Sequence, residues 1–144
     1  MKDGRNELRR EERAIVADFG ERYHQGQSRA ALSVEKLVFG SDFGACGFTT
    51  VAQADELAAR LGLGPGERLL DLGCGSGWPG LYIASETGCE VVSTDLPLPG
   101  LLRAHHRRRD EGLSGSSGCI QSTARRLPFA RRSFHAVVHS DLLC

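Results

Sequence analysis

The run Leu69-Leu70-Asp71-Leu72-Gly73-Cys74-Gly75-Ser76-Gly77-Trp78 sets an apolar stretch, an acid and three alternating glycines in immediate succession. Glycine has no Cβ, so Gly73, Gly75 and Gly77 allow a sharp turn and a close approach of the backbone to a ligand, while a following helix would point free N–H groups at it. Asp95, twenty residues after Gly75, closes a second strand-like run from Cys89 to Thr94. A short carboxylate at that fixed height is placed to accept hydrogen bonds from both hydroxyls of a ribose. Glycine loop and acid together indicate a nucleoside cofactor.

Two nucleosides compete on the residues alone. Gly75-Ser76-Gly77-Trp78-Pro79-Gly80 satisfies the G-x-G-x-x-G dinucleotide pattern with Asp95 at the expected distance, which keeps an NAD(P)-binding reading open. In that reading Asp71 has no role and would repel a pyrophosphate. A carboxylate at 71 can instead interact, directly or through water, with a cationic amino group, which S-adenosylmethionine has and NAD lacks. The charge pattern favours the methyl donor.

These residues need elements to hold them. Arg68 to Leu72 is an almost continuous apolar run suited to a strand buried on both faces, and Pro79 to Thr87 reads as a helix closed by Gly88. With the strand ending at Asp95 this forms a βαβ unit. A helix opening at Leu98 and closing around Gly112, a short third strand over Cys119 to Ser122 and a fourth over Phe134 to Ser140 continue the alternation. Leu113 to Gly118 is a small-residue loop between them. Upstream, the Glu- and Arg-rich stretch from Asn6 to Tyr23 predicts a mostly solvated helix, and Ser28 caps a second helix that stops near Gly40. Thr50 and Gln53 form a capping box for a third, with Val51, Ala54, Leu57, Ala58 and Leu61 on one face and Gly62 at its end.

Composition narrows the class. The 144 residues are 40% apolar, and 18 basic against 18 acidic side chains leave no net field for nucleic acid or an acidic membrane. No segment approaches the roughly 20 apolar residues of a membrane span. The five cysteines lack disulfide or metal-ligand spacing and read as reduced thiols, so a cytoplasmic chain without a metal site is expected.

The motifs together resemble class I S-adenosylmethionine-dependent methyltransferases, in the branch acting on small molecules or lipids. Leu70-Asp71-Leu72-Gly73-Cys74-Gly75-Ser76-Gly77 is similar to their first motif, and Val91-Val92-Ser93-Thr94-Asp95-Leu96 to their second-strand motif. Ala124-Arg125-Arg126-Leu127-Pro128-Phe129 resembles their A-x-x-L-P-F segment, and Ser133-Phe134-His135-Ala136-Val137-Val138 their fourth-strand segment. The resemblance implies an α/β, Rossmann-like parallel sheet of order 3-2-1-4, with an N-terminal helical segment over 1–48 and a cofactor-binding unit over 49–144. It implies that Asp71, Gly73, Gly75 and Gly77 line the methionine end of S-adenosylmethionine, that Asp95 holds the ribose and that Leu96 packs on the adenine. Ala124 would flank the adenine, and His139 would lie near the methionine portion through its backbone. Thr123 stands where the family often has an aspartate accepting from the adenine amine, and His135 replaces the usual fourth-strand aspartate.

The family sheet has seven strands and this chain supplies four. The expectation is therefore an incomplete domain whose fourth strand exposes an edge available for pairing with itself or a partner. Two functional readings follow: methyl transfer to a small-molecule acceptor, or a catalytically incompetent binding or regulatory module. No catalytic base is nominated. His105 to Arg109 reads as a solvated helix face, Cys74 as unreactive and Trp78 as helix-start packing. Phe43 to Thr50 reads equally as a lid and as an ordinary loop.

Overall fold

The computed structural model describes residues 8–113, 117–140 and 142. Helices α1 (Arg10–Gln25), α2 (Arg29–Phe39) and α3 (Val51–Leu61) precede β1 (Arg68–Leu72), α4 (Gly80–Thr87), β2 (Glu90–Asp95), α5 (Leu98–Asp110), β3 (Gly118–Gln121) and β4 (Ala136–Val138). The strands among the described residues form one parallel sheet in the order β3-β2-β1-β4. Asn6, Cys144 and residues 114–116 of the expected small-residue loop lie outside the described residues.

Local chemistry accounts for most helix ends. The Ser28 hydroxyl accepts the Ala31 N–H, and the Thr50 hydroxyl accepts that of Gln53 while the Gln53 side chain returns to the Thr50 N–H. Gly40, Gly62 and Gly88 terminate α2, α3 and α4 in the left-handed region. The fourth strand is shorter than its apolar run, because only Leu69, Leu70 and Asp71 of β1 lie opposite it, at Ala136, Val137 and Val138.

The core lies where α4 and α5 cover the sheet. Leu69, Leu81, Ile83 and Val91 are fully buried, and each such side chain contributes about 1.5–3 kcal/mol. His135 answers the question its position posed: its Nδ1 accepts the Arg68 N–H at 2.9 Å, and its backbone N–H donates to the Arg68 carbonyl at 2.8 Å. An imidazole with its proton on Nε2 thus supplies an acceptor beside the start of β1. α1 is mostly solvated, as expected, with two exceptions. Glu12 and Tyr23 are buried, because the helix lies against α5 and reaches over the C-terminal ends of β2 and β3.

Candidate functional site

β1 and β2 run side by side and end together, which brings the glycine loop and Asp95 to one rim of the sheet. The Thr94 carbonyl accepts the N–H groups of Gly73 at 2.8 Å and Cys74 at 3.0 Å, and Asp95 Oδ2 accepts that of Gly75 at 2.7 Å. The loop therefore hangs from the end of β2. Asp95 Oδ1 accepts the Leu96 N–H at 2.7 Å. Burial pushes this carboxyl above the ordinary aspartate range, with both N–H donors pulling the other way. Each oxygen retains a lone pair for a further donor.

The free N–H groups expected at the loop are largely committed internally. Besides those of Gly73, Cys74 and Gly75, the Gly77 N–H donates to the Cys74 carbonyl at 2.8 Å and the Gly80 N–H to Asp71 Oδ2 at 3.1 Å. Asp71 thus lies beneath the loop and caps the start of α4, fully buried, with Oδ1 lacking a hydrogen-bond partner among the described residues. Burial raises its carboxyl to about 8, the Gly80 N–H opposing that rise and the nearby Asp95 charge adding to it. The absence of a side chain at Gly80 makes this possible, since a Cβ there would come within 2.6 Å of Asp71 Cβ.

Gly73, Gly75 and Gly77 all have φ in the left-handed region, at +71°, +53° and +100°. The space over them is small. Tyr23, Ala45, Cys46, Gly47 and Ser140 enclose a cavity of about 30 Å³ against the loop, room for about one or two waters. A Cβ on Gly75 would run into the Tyr23 hydroxyl, and one on Gly100 would meet the same ring at 2.9 Å. Tyr23 is therefore wedged between the glycine loop and α5. It is a site residue that sequence reasoning missed, since it is one of several sparse apolar residues on α1.

Leu96 is half-buried and lines a cleft of about 480 Å³ at the ends of β2 and β3, and Ala124 is exposed, next in the chain to Thr123. Thr123 lines the same cleft, and its hydroxyl donates to Glu12 Oε1 at 2.7 Å. His139 follows β4 and is exposed, while the adjacent Ser140 lines the small cavity. Asp95, Leu96, Thr123 and Ala124 thus gather at one end of the rim and the three glycines at the other, with Asp71 below.

The neighbouring candidates are structural. Trp78 is buried between Phe43 and Tyr82, with ring centroids 5.0 and 5.3 Å away, and its indole N–H donates to the Thr49 carbonyl. Burial raises the Cys74 thiol well above its ordinary range, which leaves no thiolate for nucleophilic chemistry. Arg107 does more than face solvent: it lies 3.6 Å from the Phe43 ring centroid and pairs with Asp42 at 2.7 Å and Glu111 at 2.8 Å. Phe43 and Gly44 are in turn held by Glu35 on α2, which accepts both their N–H groups and the Ser41 hydroxyl.

A family model described as a methyltransferase domain matches residues 69–144. Squalene methyltransferase 1 of Botryococcus braunii is 33% identical over 88 residues, 61% of this chain and 23% of that protein. Sterol 24-C-methyltransferase ERG6B of Gibberella zeae is 36% identical over 81 residues, 56% and 21% respectively. The chain spans roughly a fifth to a quarter of the length of these relatives. A geranyl diphosphate methyltransferase, solved with GPP and sinefungin, shares the fold at a TM-score of 0.66 and 20% identity, covering 87% of this chain and 54% of that one. The [4+2]-cyclase SpnF aligns with a TM-score of 0.56 at 30% identity over 60% of this chain and 32% of its own. From residues 69–144, the chain belongs to the family of methyltransferase domains.

Proposed function

We propose that this chain forms the cofactor-binding part of a methyltransferase acting on a small-molecule acceptor. The observation that carries the reading is Asp95, which holds Gly75 at 2.7 Å and so joins ribose acid and glycine loop into one rim. Ligands of open α/β sheets bind beyond such strand ends. The donor set fits a nucleoside, since a carboxylate with spare lone pairs stands beside the apolar Leu96 and an adjoining cleft of about 480 Å³. The names of the squalene and sterol methyltransferases support a small acceptor.

S-adenosylmethionine, when bound, supplies a methyl group on a positively charged sulfur. Asp95 accepts the ribose hydroxyls, Leu96 and Ala124 flank the base near Thr123, and Gly73, Gly75 and Gly77 admit the methionine portion beside the His139 backbone. Asp71 holds the loop from below through the start of α4. Tyr23 moves off Gly75 to admit the ligand, because the space it leaves is only about 30 Å³. Orientation of donor and acceptor supplies much of the rate, and no side chain of this part is assigned as a base.

Calorimetry with S-adenosylhomocysteine tests the reading. Micromolar binding is expected, and Asp95→Ala and Gly75→Val should each abolish it. An unchanged heat signal in both variants overturns the proposal. The small cavity under Tyr23, about 30 Å³, favours a second reading, a binding module without turnover, which a transfer assay with S-adenosylmethionine distinguishes by binding that persists without methyl transfer to any acceptor tried.

A further inference from the structure

The ends of β2 and β3 and the first turns of α1 enclose the 480 Å³ cleft, whose lining includes Glu12, Leu96, Gln121, Ser122, Thr123 and Pro128. It begins one residue beyond Asp95, and the Ser122 N–H donates to the Asp95 carbonyl at 3.0 Å. A nucleoside whose ribose is held at Asp95 therefore directs its base here. The polar groups of the lining are already arranged. Gln121 gives its side-chain amide to the Leu96 carbonyl at 2.9 Å, and Thr123 gives its hydroxyl proton to Glu12 Oε1 at 2.7 Å. The Thr123 oxygen also accepts the Arg125 N–H at 3.3 Å, and Glu12 Oε2 accepts that of Arg9 at 2.8 Å.

Glu12 remains as a carboxylate held from both oxygens, 8% exposed, with acceptor capacity left over and no proton to donate. The hydrogen bonds from the Arg9 N–H and the Thr123 hydroxyl keep it ionised by lowering its pKa. Such a group selects an edge that donates. A base with an exocyclic amine satisfies it, whereas a carbonyl in the same place sets two acceptors against each other.

We propose that Glu12, brought in by α1 and anchored on Thr123, reads the exocyclic amine of the cofactor's base, so that the N-terminal helix sets nucleoside specificity. The assignment rests on the methyl-donor reading. It joins the two ends of the described chain in one contact, with Glu12 and Thr123 separated by 111 positions.

Calorimetry on the whole chain with S-adenosylhomocysteine and S-inosylhomocysteine, which differ by amine against carbonyl, tests it. The unaltered protein is expected to prefer the amine about ten- to hundredfold. Glu12→Gln, whose amide can donate to a carbonyl, should bring the two within about threefold, with the circular dichroism unchanged. The pair Glu12→Ala with Thr123→Asp, which moves the carboxylate to the other side of the same contact, should restore the preference and serves if Glu12→Gln does not fold. Equal binding of both ligands by the unaltered protein, or an undiminished ratio in Glu12→Gln, overturns the assignment alone. Binding of neither ligand overturns the methyl-donor reading and the assignment with it.

Discussion

Tyr23 of α1 rests against Gly75 of the glycine loop, so closely that a Cβ on Gly75 would fall 2.9 Å from the tyrosine ring. Gly75 is thus doubly constrained, by its φ of +53° and by its neighbour. Gly75→Ala is expected to cost about 2–4 kcal/mol, of which about 1–2 kcal/mol is the left-handed backbone. In a Tyr23→Ala background only the backbone part should remain, because the ring is gone. Urea unfolding of the four proteins in the cycle measures the coupling. Additivity within about 0.5 kcal/mol would show that the two residues do not meet.

Asp71 predicts a dependence of stability on pH. Its carboxyl, at about 8 in the folded protein, sits above the ordinary 3.8 of an exposed aspartate. Between those values the folded state binds more protons than the unfolded one, so stability falls as pH rises from about 4 to about 8 and levels off above. The full effect is present below the lower value. Asp71→Asn keeps an acceptor for the Gly80 N–H and removes the titration, so its advantage over the unaltered protein should grow by about 1.4 kcal/mol per pH unit at most. Denaturation midpoints at pH 5, 6.5 and 8 report this. Parallel curves for the two proteins would rule it out.

Glu35 holds the loop before α3 through the Ser41 hydroxyl and the Phe43 and Gly44 N–H groups, at 2.7, 3.0 and 2.7 Å. Removing it strands those donors around a buried Phe43 ring. Glu35→Ala should therefore destabilise by about 2–4 kcal/mol. Hydrogen exchange at the Phe43 and Gly44 amides should accelerate well before that of α4. If protection at both amides stays as in the unaltered chain, the carboxylate does not organise the loop.

The glycine loop, the position of Asp95 at the end of its strand and most helix ends were legible from residue types, because each depends on neighbours three or four positions away or on a strand's own periodicity, whereas the order of the sheet came through the family resemblance. Thr50 with Gln53 and the glycines after α2, α3 and α4 are of this kind. The family was legible too, through the motifs around Asp71, Asp95 and Ala124 read in order. Where the Asp71 carboxylate points was not, since only the approach of Gly80 shows that it caps α4 beneath the loop. Near-helical spacing marked Tyr23 only as one apolar position among several and Glu12 not at all, and both acquire their roles when the helix docks across the strand ends. Local hydrogen bonding and apolar alternation determine elements within a short stretch of chain. Contacts such as Glu12 with Thr123 depend on how those elements pack, and packing alone brought them to 2.7 Å.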